Sequence, residues 1–246
     1  YQSIIMLQFT LSAKHAKNLV KALENINEDT VFRFDRDGLS VSVSDTFRNR
    51  LLEIHLPADF FSAYSCESSV DLGIIISRLR EVTKTLKAKD EVTGSFDQEV
   101  PNFLILSANG IRRRVRLVNT NLLKSPPPMI YDDFIYTVEL PSSALSDFMK
   151  AASTFHTLEV SVVPDSFTIT SQEGEEEVSM QFTGEDVALS LEMSDSLTTH
   201  GIADLTKGLS TITDTVTIRG GLTIPISFGW SWGASSQLTC YVTRWE

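Results

Sequence analysis

Leu117–Phe134, LVNTNLLKSPPPMIYDDF, decides how the rest of the chain is divided. Pro126, Pro127 and Pro128 stand together there. Three prolines in a row hold the chain extended, and none can donate to a β-ladder or continue a helix. With Asp132 and Asp133 following, the stretch reads as a semi-rigid spacer between folding units. It lies near the middle of the 246 residues, and the expected division is 1–117, a connector at 118–133, and 134–246. A chain of this length is at the size where one core stops growing, so two medium domains are reasonable.

Before the spacer, Phe9–Leu23 has Ser12 as an N-cap for a helix to about Glu24. Ala16, Leu19, Val20 and Leu23 form its apolar stripe, and Lys14, Lys17 and Lys21 recur on another face. Thr30–Val43 reads as a hairpin, with Phe32 and Phe34 alternating before a turn at Asp37-Gly38 and Leu39, Val41 and Val43 after it. Asp45–Arg50 is a polar loop, and Leu51–Leu56 a strand closed by Pro57. Gly73–Leu86 is expected as a second helix, with Ile75, Leu79, Val82 and Leu86 inward and Arg80, Lys84 and Lys87 on one stripe. Strands are expected around Val92–Phe96, Phe103–Leu106 and Ile111–Leu117.

After the spacer the same order returns. Tyr136–Leu140 is a strand, and Ser142 or Ser143 caps a helix with Leu145, Phe148, Met149 and Ala152 inward. Leu158–Ile169 is a hairpin turning at Pro164-Asp165, and its Val160, Val162, Phe167 and Ile169 repeat Phe32, Phe34, Leu39 and Val41 about 128 residues on. Val178–Phe182 answers Leu51–Leu56, Gly201–Ile212 answers the Gly73 helix, and Thr215–Ile218 answers Val92–Phe96. Ile224–Trp230 and Leu238–Val242 complete the copy. Half-buried strands with two helices per half imply an α+β unit whose helices cover one face of an antiparallel sheet. Duplicated, it would present four helices on one side.

The formal charge of −11 opposes a nucleic-acid partner unless the cations are gathered on one surface. No apolar run reaches the ~18–20 residues that span a bilayer, and no signal-peptide core opens the chain, so no membrane role is expected. Cys66 and Cys240 lie in different halves without metal spacing, which fits a reducing, intracellular compartment. His15, His55, His156 and His200 are scattered. Gly220-Gly221 suits a turn rather than a phosphate loop, and Glu173–Glu177 lacks the spacing of a calcium loop. Neither an enzyme, a metal site nor a cofactor is expected.

Several segments, in this order, resemble the sliding DNA clamp family, the proliferating cell nuclear antigen-like proteins. They are DGLSVSVSD (Asp37–Asp45), HLPADFFSAY (His55–Tyr64), GIIISRLREVTKTLKAKDEV (Gly73–Val92), LVN (Leu117–Asn119), HGIADLTKGLSTITDTVTIRGGLTIPISF (His200–Phe228) and CYVTRWE (Cys240–Glu246). The resemblance covers essentially the whole chain. It implies a DNA-clamp fold of two similar domains, assembled as a trimeric ring with helices around a central hole and sheets outside. Lys14, Lys17, Lys21, Arg80, Lys84 and Lys87, with Lys150 and Lys207 from the second half, would then face double-stranded DNA. Phosphate contacts of this kind are blind to sequence, which suits sliding. The bland alternative is a set of solvated helix faces.

The family also pairs two edge strands between neighbouring chains. Here these carry Arg112, Arg114 and Arg116 on one, and Glu175, Glu177, Val178 and Met180 on the other. Opposite charges favour head-to-tail pairing, although charge on an edge strand also protects it against aggregation. A partner groove would use Leu122, Leu123, Met129, Pro225, Tyr241 and Val242 to take peptides from DNA polymerase, flap endonuclease and DNA ligase, and a clamp loader would open the ring. Incidental leucines in a spacer are the alternative for the connector. Ser44 and Asn49 stand where the family has apolar side chains, and Thr243-Arg244-Trp245 replaces its Ala-Pro-basic ending. The resemblance therefore implies a processivity clamp. A checkpoint-type subunit and a scaffold that never touches DNA stay open, as do homo- and heterotrimers. The compartment would be the nucleus in a eukaryote and the cytoplasm in an archaeon.

Overall fold

The structure, a computed structural model, describes residues 5–184, 188–191 and 196–243. The chain forms two units. One takes Tyr1–Ser44, Leu52–Pro127 and Trp232–Gln237, and the other takes Asp45–Leu51, Pro128–Ser231 and Leu238–Glu246.

The first unit runs β1 (Ile5–Ser12), α1 (Ala13–Glu24), β2 (Asp29–Asp35), β3 (Gly38–Ser44), β4 (Arg50–Pro57), a single 3-10 turn (Ala58–Phe60), β5 (Ala63–Cys66), β6 (Val70–Ile75), α2 (Ile76–Thr83), β7 (Glu91–Asp97), β8 (Phe103–Ala108) and β9 (Ile111–Arg116). The second runs β10 (Tyr136–Pro141), α3 (Ser142–Ala151), β11 (Thr157–Val163), β12 (Ser166–Glu173), β13 (Glu176–Thr183), β14 (Ala188–Leu191), β15 (Ser196–Gly201), α4 (Ile202–Gly208), β16 (Thr215–Gly220), β17 (Ile226–Trp230) and β18 (Gln237–Val242). The strand orders match element for element. β5-β1-β7-β8-β9 in the first unit corresponds to β14-β10-β16-β17-β18 in the second, and β4-β3-β2-β6 to β13-β12-β11-β15.

The hairpins show why the repeat was visible. Phe32 pairs with Val41 and Phe34 with Leu39 in the first unit. Val160 pairs with Ile169 and Val162 with Phe167 in the second. All eight side chains are buried. Alternation at period two sends one face of each hairpin into a core, so a slip of one residue would expose the whole set. The first turn needs Gly38 at φ 140°, where an added Cβ would also overlap the Leu56 carbonyl oxygen. Tyr64 locks the same turn, its hydroxyl 2.5 Å from Asp35 O and 2.9 Å from Gly38 O.

Helix α1 starts as its sequence suggests, with the Ser12 hydroxyl accepting from the His15 N–H at 3.3 Å. Its buried Ala16, Leu19 and Val20 pack with Phe9, Leu11, Phe32, Leu79, Val92 and Leu104 in the first core, and Leu23 is buried as well. The ring of Phe9 stacks on Phe34 at 5.3 Å. In the second unit, Leu145, Phe148, Met149 and Ala152 are buried as expected.

Three expectations change. Gly73–Ile75 is strand, not helix: these residues pair with Asp29–Val31 in β2, and Gly73 bridges to Val118 so closely that a side chain would overlap the Val118 carbonyl oxygen. Glycine is a poor helix former and β-branched isoleucine suits a strand, so the ladder and local preference agree here, and α2 spans only Ile76–Thr83. Strand β15 likewise takes Ser196–Gly201, so α4 begins at Ile202 and ends at Gly208. Helix α3 begins at Ser142 with no side-chain cap from either serine.

Candidate functional surfaces

Lys14, Lys17 and Lys21 are all exposed on α1, on the face away from its buried stripe. Arg80 is exposed on α2. Because α2 ends at Thr83, Lys84 caps it and Lys87 lies beyond it, not on the expected helical stripe. The segment is nevertheless held against α1, since the Lys17 ammonium donates to Leu86 O at 2.6 Å. Arg80 reaches Glu24 at 3.4 Å, and Lys84 pairs with Glu81 one turn away. These are exposed pairs, worth little in stability, and they leave the local balance positive. Over 13–24 and 76–90 the chain carries eight lysines and arginines against Glu24, Glu81 and Asp90. Hydrogen bonds from the Asn109 amide and the Lys87 N–H hold the Asp90 carboxyl below its usual range, so it stays charged.

The second unit differs. Lys150 on α3 sits 3.7 Å from Asp147, and α4 matches Lys207 with Asp204 in its sequence. Lys150 and Lys207 are exposed, but their helices are balanced in charge. The excess positive charge of the helices belongs to α1 and the α2 segment.

Two of the edge strands carry clusters of like charge. β9 is the last strand of β5-β1-β7-β8-β9, and β13 is the first of β13-β12-β11-β15. Arg112, Arg113, Arg114 and Arg116 are all exposed on β9, with Val115 buried between them. The Arg114 guanidinium lies 4.1 Å from the centre of the Phe103 ring, and a shallow pocket of about 370 Å³ runs beside it between Ile5, Val100, Ile105 and Arg112. Glu175, Glu176 and Glu177 are exposed at the turn into β13, and beyond them Val178 and Met180 are half-buried. Each edge therefore carries charge of one sign, and the two signs are opposite.

The residues of the expected groove divide between the units. Leu122, 80% exposed, and half-buried Leu123 belong to the first. Leu122 ends a 3-10 turn (Thr120–Leu122) that Asn119 caps by accepting from the Asn121 N–H, and Leu123 follows it. Met129, Pro225, Tyr241 and Val242 belong to the second. Tyr241 packs against Tyr131 with ring centres 5.6 Å apart. Ile226, next to Pro225, pairs with Val242. Val242 itself is fully buried. Its side chain is core, a correction to its place among surface contacts, because a β-strand sends alternate residues to opposite faces and Tyr241 took the outer one. Sequence inspection missed Tyr131, and also exposed Ile130, Leu222 and Phe47. An aromatic residue inside the polar run Asp45–Arg50 was the signal available for the last.

Among the described residues, no group of three or more His, Cys, Asp or Glu side chains could hold a metal ion. No helix of the described chain is long and apolar enough to cross a membrane.

The family profile of the proliferating cell nuclear antigen N-terminal domain matches residues 6–124. The DNA polymerase sliding clamp of Thermococcus gammatolerans is 27% identical over 236 residues, covering 92% of this chain and 93% of that protein. That of Pyrococcus abyssi is 28% identical over 232 residues, covering 87% and 88%. Among solved structures, the proliferating cell nuclear antigen of A. fulgidus, bound to the C-terminal region of FEN-1, superimposes with a TM-score of 0.90 at 13% identity, covering 98% of this chain and 99% of that one. The Thermococcus kodakaraensis protein gives 0.87 at 22% identity, covering 97% and 100%. Sliding clamps are non-catalytic scaffolds, in keeping with a site built from charge and apolar surface. The duplicated α+β fold, the family profile over the first unit and the full-length relatives all match the DNA sliding clamp family, of which proliferating cell nuclear antigen is the namesake.

Proposed function

We propose that this chain is one subunit of a ring that encircles duplex DNA and tethers replication and repair enzymes by short peptides. The observation that carries the reading is the sorting of charge. In a chain of formal charge −11, the α1 and α2 segments hold eight cations against three carboxylates. Lys14, Lys21 and Lys87 contact phosphates without reading bases, so the ring slides. Closure comes from β9 of one copy meeting β13 of the next, arginine against glutamate, in a heterologous contact that can close. The partner surface takes Met129, Pro225 and Tyr241 of the second unit. Tethering works through effective concentration, because an enzyme that lets go of the primer end stays near it while its clamp encircles the template. A clamp loader opens the ring, and polymerase, flap endonuclease and ligase are the partners the reading names.

The test is topological. The protein is loaded on nicked circular DNA, the circle is isolated by gel filtration, and the DNA is then cut. Retention on the circle and loss on linearisation support encirclement. A scaffold indifferent to DNA never co-elutes, and a simple basic binder stays on the cut DNA; either result overturns the proposal.

A further inference from the structure

The face of β7-β8-β9 turned away from the first core carries a pocket that neither core packing nor charge pairing accounts for. Along β8 and β9, Leu104, Leu106 and Val115 are buried, and strand alternation sets Phe103, Ile105, Arg112 and Arg114 on the opposite face. Ser95 pairs with Ile105 and Ile105 with Arg114, so these three form one row across the strands. Half-buried Phe103 and Ile105 line a space of about 370 Å³, and exposed Ile5 and Val100 complete its apolar wall. The polar lining comes from the two flanking strands, Ser95 and Asp97 on β7 and the two arginines on β9. With β8 between them, β7 and β9 stand about 10 Å apart.

Both ends of this pocket are oriented, and its positive end is not neutralised. Among the described residues no carboxylate pairs with Arg112 or Arg114, whereas Arg33, Arg50 and Arg80 each have one. The Arg114 guanidinium rests on the Phe103 ring, which positions it and leaves its charge in place. Asp97 is held as well, because its Oδ1 accepts the Glu99 N–H at 2.9 Å. The proposed pairing between copies uses only part of the positive charge. A register that sets Arg114 opposite Glu177 sets Arg112 opposite Ser179, so one cation stays uncommitted after closure.

A fitting ligand brings a negative group to β9, a flat apolar body to Ile105 and Val100, and a hydrogen-bond donor to Asp97. Free phosphate leaves the apolar wall bare, and a fatty acid sets hydrocarbon against the Asp97 carboxylate. We propose that this pocket binds a nucleoside monophosphate. Its phosphate lies on Arg112 and Arg114, its base along Ile105 and Val100, and its amino or sugar hydroxyl groups toward Asp97. Guanidinium and phosphate make charge-assisted bonds of the stronger kind. The volume falls within the range of small-ligand sites, about 300–1,000 Å³. The site lies wholly within the first unit and depends neither on ring closure nor on the partner surface.

Calorimetry with the full chain at low salt tests the assignment, using AMP, adenosine and inorganic phosphate as probes. AMP is expected to bind with a Kd below about 1 mM, and at least about tenfold tighter than either of its parts. Arg112→Ala should weaken AMP binding by about tenfold or more, and Arg112→Lys should fall between the two, since it keeps the charge and loses the planar fork. Lys150→Ala removes an exposed cation elsewhere and should change nothing. Asp97→Asn keeps an acceptor for the Glu99 N–H and should narrow the preference for AMP over phosphate. Arg112 is exposed, so urea unfolding of its variants should match wild type. Absence of AMP binding overturns the site. Equal affinity for AMP and phosphate overturns the nucleotide assignment and leaves a simple anion contact. AMP binding that Arg112→Ala leaves intact, or that Lys150→Ala weakens as much, overturns the placement.

Discussion

Reversing Glu175 and Glu177 to lysine should weaken assembly of the proposed ring. Alternation along β9 puts Arg112, Arg114 and Arg116 on one face, while Glu177 and Ser179 share the outward face of β13, away from Val178 and Met180. Antiparallel pairing of these faces allows a register in which Arg114 stands opposite Glu177. Arg116 then meets Glu175, and exposed Ile111 meets Met180, so charge and apolar surface are matched together. A cross-strand ion pair at an exposed position is worth about 0.5–1 kcal/mol, and reversal replaces it by a repulsion of similar size. Two such reversals at each interface come to about 2–4 kcal/mol, or roughly 30- to 1,000-fold in the dissociation constant. Sedimentation velocity over a dilution series measures it directly. The effect should shrink at about 0.5 M salt, where screening acts within a few ångströms. Adding Arg114→Glu and Arg116→Glu to the reversed chain should restore assembly, because the attraction then runs the other way. An unchanged mass across dilution in the Glu175→Lys, Glu177→Lys chain would refute the pairing. Failure of the compensating pair to rescue would refute the register.

DNA retention should depend unequally on the two units: replacing Lys14, Lys21 and Lys87 by alanine lowers the salt slope of binding by about 0.9 for each phosphate no longer neutralised. Lys150→Ala and Lys207→Ala, on charge-balanced helices, should leave the slope alone, and equal effects would contradict the sorting of charge. Tyr64→Phe leaves the Asp35 and Gly38 carbonyls without their hydroxyl donor and should cost about 1–2 kcal/mol in urea unfolding. Gly38→Ala should cost at least about 2 kcal/mol, since the new Cβ meets both a disfavoured φ and the Leu56 carbonyl. Burial, helped by Lys14, holds His15 below its ordinary 6.5. The unfolded chain therefore takes up that proton first on acidification, and stability falls as pH drops through the region just below 6.5. His15→Gln should flatten the change in urea midpoint between about pH 7.5 and 5.5, and an unaltered slope would show that His15 does not contribute.

Much of the fold could be read locally. The hairpins declare themselves because period-two alternation and the turns at Asp37-Gly38 and Asp165 are properties of a few adjacent residues. Helix α1 does so because Ser12 and the stripe from Ala16 to Leu23 lie within four turns. The duplication followed from the same patterns recurring about 128 residues on, and the cations of α1 needed only helical spacing to be found. What failed depended on distant partners. Gly73–Ile75 became strand because β2 and Val118 were there to pair with it, and α2 stops at Thr83, before Lys84 and Lys87. The four-residue strands β5 and β14 are too short to show a period, and exist through their pairing with β1 and β10.

The sequence by itself determined the repeat, the class of fold and the supply of positive charge, since periodicity and composition are written residue by residue. Only the tertiary structure decided that Val242 is core while Tyr241 faces outward, that Lys84 and Lys87 lie off the helical stripe, and that Asp45 and Arg50 close a loop around exposed Phe47. Burial and pairing are set by what the chain brings back from far along its length, and no local pattern carries that information.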